Sequence, residues 1–194
     1  YLRKRDADRA LGALQALESK QPENPMTYNL RGAALILKKD LAGARANFER
    51  ALGLQPAYMP AVNNLARLDL RENDRVAARK RFQDFLDRDP NNEPALIGLA
   101  AVLRTTGADA GEIEKLLKQA VAGNPTSVSA HGALINFYMR SRNFTAARGA
   151  AQAAQAALPG EPRVVQAVGM TQLAAGETRQ AIASLTRLAE MQYG

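Results

Sequence analysis

Residues 25–58 read PMTYNLRGAALILKKDLAGARANFERALGLQPAY, and the pattern in them returns along the rest of the chain. Tyr28, Gly32, Leu35, Ala44, Phe48, Ala51 and Pro56 are followed in the next stretch by Val62, Leu65, Ala66, Ala78, Phe82, Phe85 and Pro90. The third stretch gives Leu96, Leu99, Ala100, Leu103, Ile113, Leu117, Ala120 and Pro125. The fourth gives His131, Leu134, Tyr138, Ala147, Ala151, Ala154 and Pro159, and the fifth Val165, Val168, Gly169, Ala181, Leu185 and Leu188. A partial stretch with Ala10, Leu14, Leu17 and Pro22 precedes them. Pro22, Pro56, Pro90, Pro125 and Pro159 beat at 34, 34, 35 and 34 residues. A fixed period of this size marks stacked structural repeats.

Apolar residues three and four apart give each half-repeat one sticky helical face. Small residues at Gly32, Ala66, Ala100 and Gly169 suit close approach of two helices within a unit, opposite Ala44, Ala78, Ala147 and Ala181. Phe48, Phe82, Leu117 and Leu185 then fill the space towards the next unit. All nine prolines fall at repeat junctions, clear of helix interiors, where each would cost about 3 kcal/mol. Each unit therefore holds two helices of about 12–14 residues. Turns fall at Lys39-Asp40, Asn73-Asp74, Gly107, Ser141-Arg142-Asn143 and Gly176. Asp109 with Glu112 reads as a capping box that restarts the helix after a one-residue insertion. The expectation is all-α: a partial unit over 1–24, then full units at 25–58, 59–92, 93–127, 128–161 and 162–194, forming one array over 1–194 of eleven helices without a sheet. Some slots depart from the pattern and weaken their units: Arg31 in a leucine slot, Asp69 and Gln172 in an aromatic slot, Ile135 in a small slot.

These spacings match the template W-x2-L-G-x2-Y…A-x3-F…P, so the chain resembles the tetratricopeptide repeat (TPR) family over its whole length. The resemblance implies a right-handed superhelix, an α-solenoid of antiparallel helix pairs, that acts as a protein-binding scaffold. It also implies that the first helix of each unit lines a concave groove. On that projection Met26, Asn29, Ala33 and Ile36 point inward, followed by Asn63, Arg67, Leu70 and Arg71. Ile97, Ala101 and Arg104 follow, then Ser129, Asn136, Met139 and Arg140, then Arg163, Gln166, Met170 and Leu173. Asn63, Arg67 and Arg71 are four apart and share a helix face. Guanidinium groups suit carboxylates and other planar anions. The candidate partner-binding residues are thus Asn29, Ile36, Asn63, Arg67, Leu70, Arg71, Arg104, Asn136, Met139 and Arg140. Some family members clamp a C-terminal carboxylate with Lys, Asn and Arg at fixed slots. Neither register fits here: Asn29 leads to Ala33, Pro94 and Gly98, and Asn63 leads to Arg67, Gly98, Ser129 and Ala133.

Composition narrows the function classes. The formal charge of +7 suits an acidic protein or an anionic polysaccharide. The aromatic residues are few and mostly occupy core slots, so no base-stacking platform points to nucleic acid. The chain has no cysteine and one histidine; His131 stands in an aromatic slot and reads as a packing residue. No phosphate loop, nucleophile motif or metal-ligand spacing is present, so the expectation is a non-catalytic protein without cofactor or metal. No apolar run approaches the roughly 18 residues of a membrane span. No signal peptide is visible. Tyr1 reads as the last turn of a preceding helix, which makes the chain a piece of a longer repeat protein whose targeting or lipid anchor would lie outside it.

Two runs carry a closer resemblance. NPMTYNLRGAALILKKDLAGARANFERALGLQPAYMPAVNNLARLDL, residues 24–70, and ALIGLAAVLRTTGADAGEIEKLLKQAVAGNP, residues 95–125, are similar to the TPR lipoprotein of the bacterial PEP-CTERM/exosortase system. Repeat proteins of cellulose or alginate export are a close alternative. This resemblance implies an envelope scaffold for exopolysaccharide and protein sorting, periplasmic or membrane-associated, with the cytoplasm as the alternative location.

Overall fold

Five intra-pair turns are built the same way. Lys39, Asn73, Gly107, Arg142 and Gly176 each take a positive φ, between 56° and 80°. In four of the pairs an Asp or Asn follows and caps the next helix. Asp40 accepts from the Gly43 N–H at 2.8 Å, Asp74 from Ala77 at 2.9 Å, and Asn143 from Ala146 at 3.1 Å. Asp109 accepts from Gly111 at 2.8 Å and Glu112 at 3.2 Å. The left-handed residue ends one helix, and the side-chain acceptor satisfies an orphan donor of the next. Between pairs the chain breaks at prolines. Pro25, Pro60, Pro94 and Pro162 sit in the first turn of their helices, where the missing N–H costs nothing.

The computed structural model describes residues 2–193, with side chains from 6 to 191. Tyr1, read above as the end of a preceding helix, lies outside the described residues. Eleven helices and no strand occur among those described. The chain divides into two compact units, Tyr1–Asp87 and Arg88–Gly194. The first holds α1 (Leu2–Lys20), α2 (Pro25–Leu37), α3 (Leu41–Leu54), α4 (Met59–Arg71) and α5 (Arg75–Leu86). The second holds α6 (Glu93–Thr106), α7 (Ala110–Gly123), α8 (Val128–Arg140), α9 (Phe144–Ala157), α10 (Pro162–Ala174) and α11 (Thr178–Tyr193). α1, at 19 residues, and α11, at 16, exceed the expected 12–14.

Within each pair the contact is set by volume. A Cβ added to Gly32 would lie 2.5 Å from the Phe48 ring, and one at Gly169 would lie 2.8 Å from Leu185. Large residues on α3 and α11 thus occupy the space left by glycine on α2 and α10. Phe48, fully buried, also clusters with Ala61, Leu65 and Leu68 of the next pair, so it fills both spaces. The corresponding slots hold Ala66 and Phe82, Ala100 and Leu117, then Ile135 and Ala151. Ile135, expected to weaken its unit, is buried in one cluster with Ala151, Ala154, Val164 and Val168. The bulk has changed helices, and volume-conserving exchange is well tolerated in cores.

Polar substitutions are likewise satisfied. Asp69, in an aromatic slot, is 2% exposed. It accepts from Arg81 of α5 at both carboxylate oxygens and pairs with Arg45 of α3 at 2.8 Å. A buried carboxylate without such partners would be costly. Burial opposes the Arg45 charge, but hydrogen bonds and charges from Asp69 and Glu72 hold its pKa above the ordinary value. In the same slot Gln172 accepts from Ser184 at 2.8 Å, and Tyr138 donates to Glu114 of α7 at 2.8 Å. Asp69 and Tyr138 both find a partner 24 positions earlier, on the preceding helix pair. Arg31 departs from its leucine slot to pair with Glu18 of α1. His131 is buried, and its Nε2–H donates to the Pro125 carbonyl at 2.8 Å, as the Tyr28 hydroxyl does to Pro22 at 2.8 Å.

Gly32→Ala should cost about 1–3 kcal/mol in chemical denaturation, as should Ala44→Leu or Ala78→Leu at two fully buried positions. Phe48→Leu added to Gly32→Ala should recover part of the loss; simple additivity would place Phe48 elsewhere. Tyr138 gives a pH signature. Burial, then the hydrogen bond to Glu114, raises its pKa, while bonds from Lys118 and Tyr138 lower that of Glu114. A raised folded pKa stabilises below the unfolded value near 10, and that contribution is lost as pH climbs through the folded pKa. Tyrosinate absorbance should therefore show a late-titrating component that disappears in Tyr138→Phe, and the variant's stability should fall less steeply at alkaline pH.

Candidate partner-binding grooves

The first helices of three successive pairs carry arginines that no carboxylate in the fold neutralises. α4 bears Arg67 and Arg71, α6 bears Arg104, and α8 bears Arg140; all four are exposed. Among the described residues none of the four makes a hydrogen bond or ion pair. Arg31, Arg45, Arg81 and Arg148, by contrast, each grip a carboxylate: Glu18, Asp69 with Glu72, Asp69 and Glu177 respectively. Arg71, Arg104 and Arg140 lie in the last turns of their helices, where the helix dipole favours a cation and offsets the missing counter-ion. Arg67 lies a full turn earlier.

In the first unit a groove of about 340 Å³ lies between α2 and α4. Ala33 and Ile36 form one wall, and Asn64, Arg67, Leu68 and Arg71 the other. Behind it the Asn64 amide donates to the Asn29 carboxamide oxygen at 2.9 Å. Asn29 is 9% exposed, so it braces the groove rather than facing it. Asn63 and Leu70 are not among the lining residues; Asn63 is exposed and Leu70 half-buried on α4.

The second unit holds two adjoining grooves. One, of about 280 Å³, is lined by Ile97, Ala101 and Arg104 of α6 with Asn136, Phe137 and Arg140 of α8. The other, of about 680 Å³, lies between α8 and α10 and includes Asn136, Met139, Arg163, Gln166 and Met170. No Asp or Glu lines any of the three. A cleft of one sign concentrates field and attracts counter-charge. Asn64, Leu68 and Phe137 escaped the sequence projection; the i+1 neighbours of the chosen Asn63, and the faces turned towards the adjacent helix, were the available signal. Among the described residues no cluster of His, Cys, Asp or Glu could hold a metal ion. No helix among them is long and apolar enough to cross a membrane.

A family model described as tetratricopeptide repeat matches residues 35–103 and 107–171, and a second with the same description matches 1–58. The chain belongs to the tetratricopeptide repeat family. A TPR domain-containing protein of Arabidopsis thaliana, PYG7, chloroplastic, is 31% identical over 83 residues, 43% of this chain. The chain spans 28% of that relative's length. Among solved structures, yeast Tom70 superposes with a TM-score of 0.76 at 16% identity, covering 95% of this chain and 39% of Tom70. YrrB, described as a TPR protein with an unusual peptide-binding site, gives 0.51 at 18% identity, covering 93% and 92%. At these identities the structural likeness establishes the TPR fold, which generally serves as a non-catalytic scaffold for protein partners.

Proposed function

We propose that this chain is a non-catalytic protein–protein interaction scaffold whose partner presents acidic side chains to the groove between α2 and α4. The carrying observation is the pair Arg67 and Arg71: exposed, unpaired and in a groove without a carboxylate. Two guanidiniums one turn apart repel each other modestly in the free protein, and an anionic partner relieves this while gaining charge-assisted hydrogen bonds. A peptide-binding site on the similarly folded YrrB supports a peptide-like occupant. The resemblance of residues 24–70 and 95–125 to the PEP-CTERM/exosortase repeats supports a setting in the bacterial envelope, periplasmic or membrane-associated through a lipid anchor. There the partner would belong to an exopolysaccharide or protein-sorting assembly.

A partner captured from envelope extracts should be titrated against wild type and Arg67→Ala/Arg71→Ala at two salt concentrations. The double variant should bind about 1–3 kcal/mol more weakly and lose part of the salt dependence, with little change in folding stability. Equal affinities at both salts would remove the arginine face and leave the apolar wall of Ala33, Ile36 and Leu68 as the contact. Binding of polygalacturonate with the same arginine dependence, and of no protein, would reassign the groove to direct recognition of an anionic polysaccharide.

A further inference from the structure

We propose that the chain carries two separate sites for acidic peptide segments, one in each compact unit: Arg67 with Arg71 in the first, and Arg104 with Arg140 in the second. This rests on reading Arg67 and Arg71 as partner-binding and extends it to a second, independent site.

The two grooves share their chemistry. Each offers two unpaired guanidiniums, one carboxamide (Asn64 or Asn136) and an apolar wall with an isoleucine (Ile36 or Ile97), and neither contains a carboxylate. Repeat symmetry accounts for only one position in each: Arg140 stands in the slot of Arg71, with Thr105 in that slot between them. Arg67 and Arg71 lie one turn apart on α4 alone, whereas Arg104 and Arg140 come from the last turns of α6 and α8. The slot of Arg67 holds Ala101 and Asn136 in the next two pairs, and Arg104 stands in the slot of Leu70 and Met139. The second guanidinium of each pair comes from a different slot, Arg67 in one and Arg104 in the other, so neither pair as a whole is a repeated surface feature. Apolar walls beside the guanidiniums suit a chain that alternates acidic and apolar side chains over an anionic sugar polymer, which carries no aliphatic side chain to fill them. The carboxamides add donors and acceptors for a peptide backbone.

The test is the stoichiometry of a capped octapeptide of two Glu-Leu-Asp-Ala blocks, measured calorimetrically on the full chain. Wild type should bind two peptides. Arg67→Ala/Arg71→Ala should bind one, Arg104→Ala/Arg140→Ala one, and the fourfold variant none. The surviving site should keep its affinity within about threefold, as expected of independent sites. Arg179→Ala, an exposed change on α11, should leave two. Thermal melts would confirm that every variant is folded. One peptide per wild-type chain, or either double variant retaining or losing both, overturns the proposal. If wild type binds one peptide and only Arg67→Ala/Arg71→Ala abolishes it, the second site falls while the partner-binding reading stands. If no arginine change affects binding, both fall. Polygalacturonate binding in place of the octapeptide overturns the peptide assignment.

Discussion

The close contact between the two helices of a pair is the constraint on which the rest depends. At Gly32 and Phe48 there is no room for one more carbon, and the same limit recurs at Gly169 and Leu185. Protein interiors are packed to crystal-like density, so this contact fixes how far apart the backbones run. Phe48 reaches past its own pair to Ala61, Leu65 and Leu68, and so the spacing within one pair also seats the next. In a repeat protein stability is shared between neighbours in this way, and the grooves are a by-product. Their walls are the helix faces that this packing leaves uncovered.

Much of this was legible in the sequence. The proline beat, the small slots and the turn residues placed eleven helices, because each is a local constraint that repeats. The departures were harder. Ile135 and Asp69 look like defects when a unit is read alone. They are resolved by residues elsewhere: Ala151 on the facing helix, Arg45 on the preceding pair, Arg81 on the following helix. A family template records one residue per slot and carries no term for exchange between slots. The candidate site was legible in the same partial way. Arg67, Arg71, Arg104, Arg140, Ile36, Asn136 and Met139 line grooves, whereas Asn29 is turned inward to its neighbour Asn64. A one-residue rotation about a helix axis separates Asn63 from Asn64, and periodicity alone does not fix that angle.

Electrostatics divides the arginines into two populations. Of those on the second helices, Arg45 and Arg148 tie neighbouring pairs together through Asp69, Glu72 and Glu177, and Arg81 closes its own pair onto Asp69. On the first helices Arg31 pairs with Glu18, whereas Arg67, Arg71, Arg104 and Arg140 are left to solvent. Charge is therefore unevenly placed: several carboxylates are drawn into joints between helices, while the three grooves hold five arginines and no carboxylate.

The polar slots also give the array an order. Asp69 looks back 24 positions to Arg45, and Tyr138 looks back the same distance to Glu114. If the pair α4–α5 were transplanted to follow α7, Asp69 would face Glu114, and two carboxylates would meet in a half-buried joint. Tyr138 placed after α3 would meet the Arg45 guanidinium, from which its oxygen could accept a bond but whose charge it could not neutralise as Asp69 does. Although the modules share a backbone, they are keyed like the links of a chain cut for one sequence. Duplication, loss or shuffling of a unit would have to carry its upstream lock with it, which confines how such an array can grow.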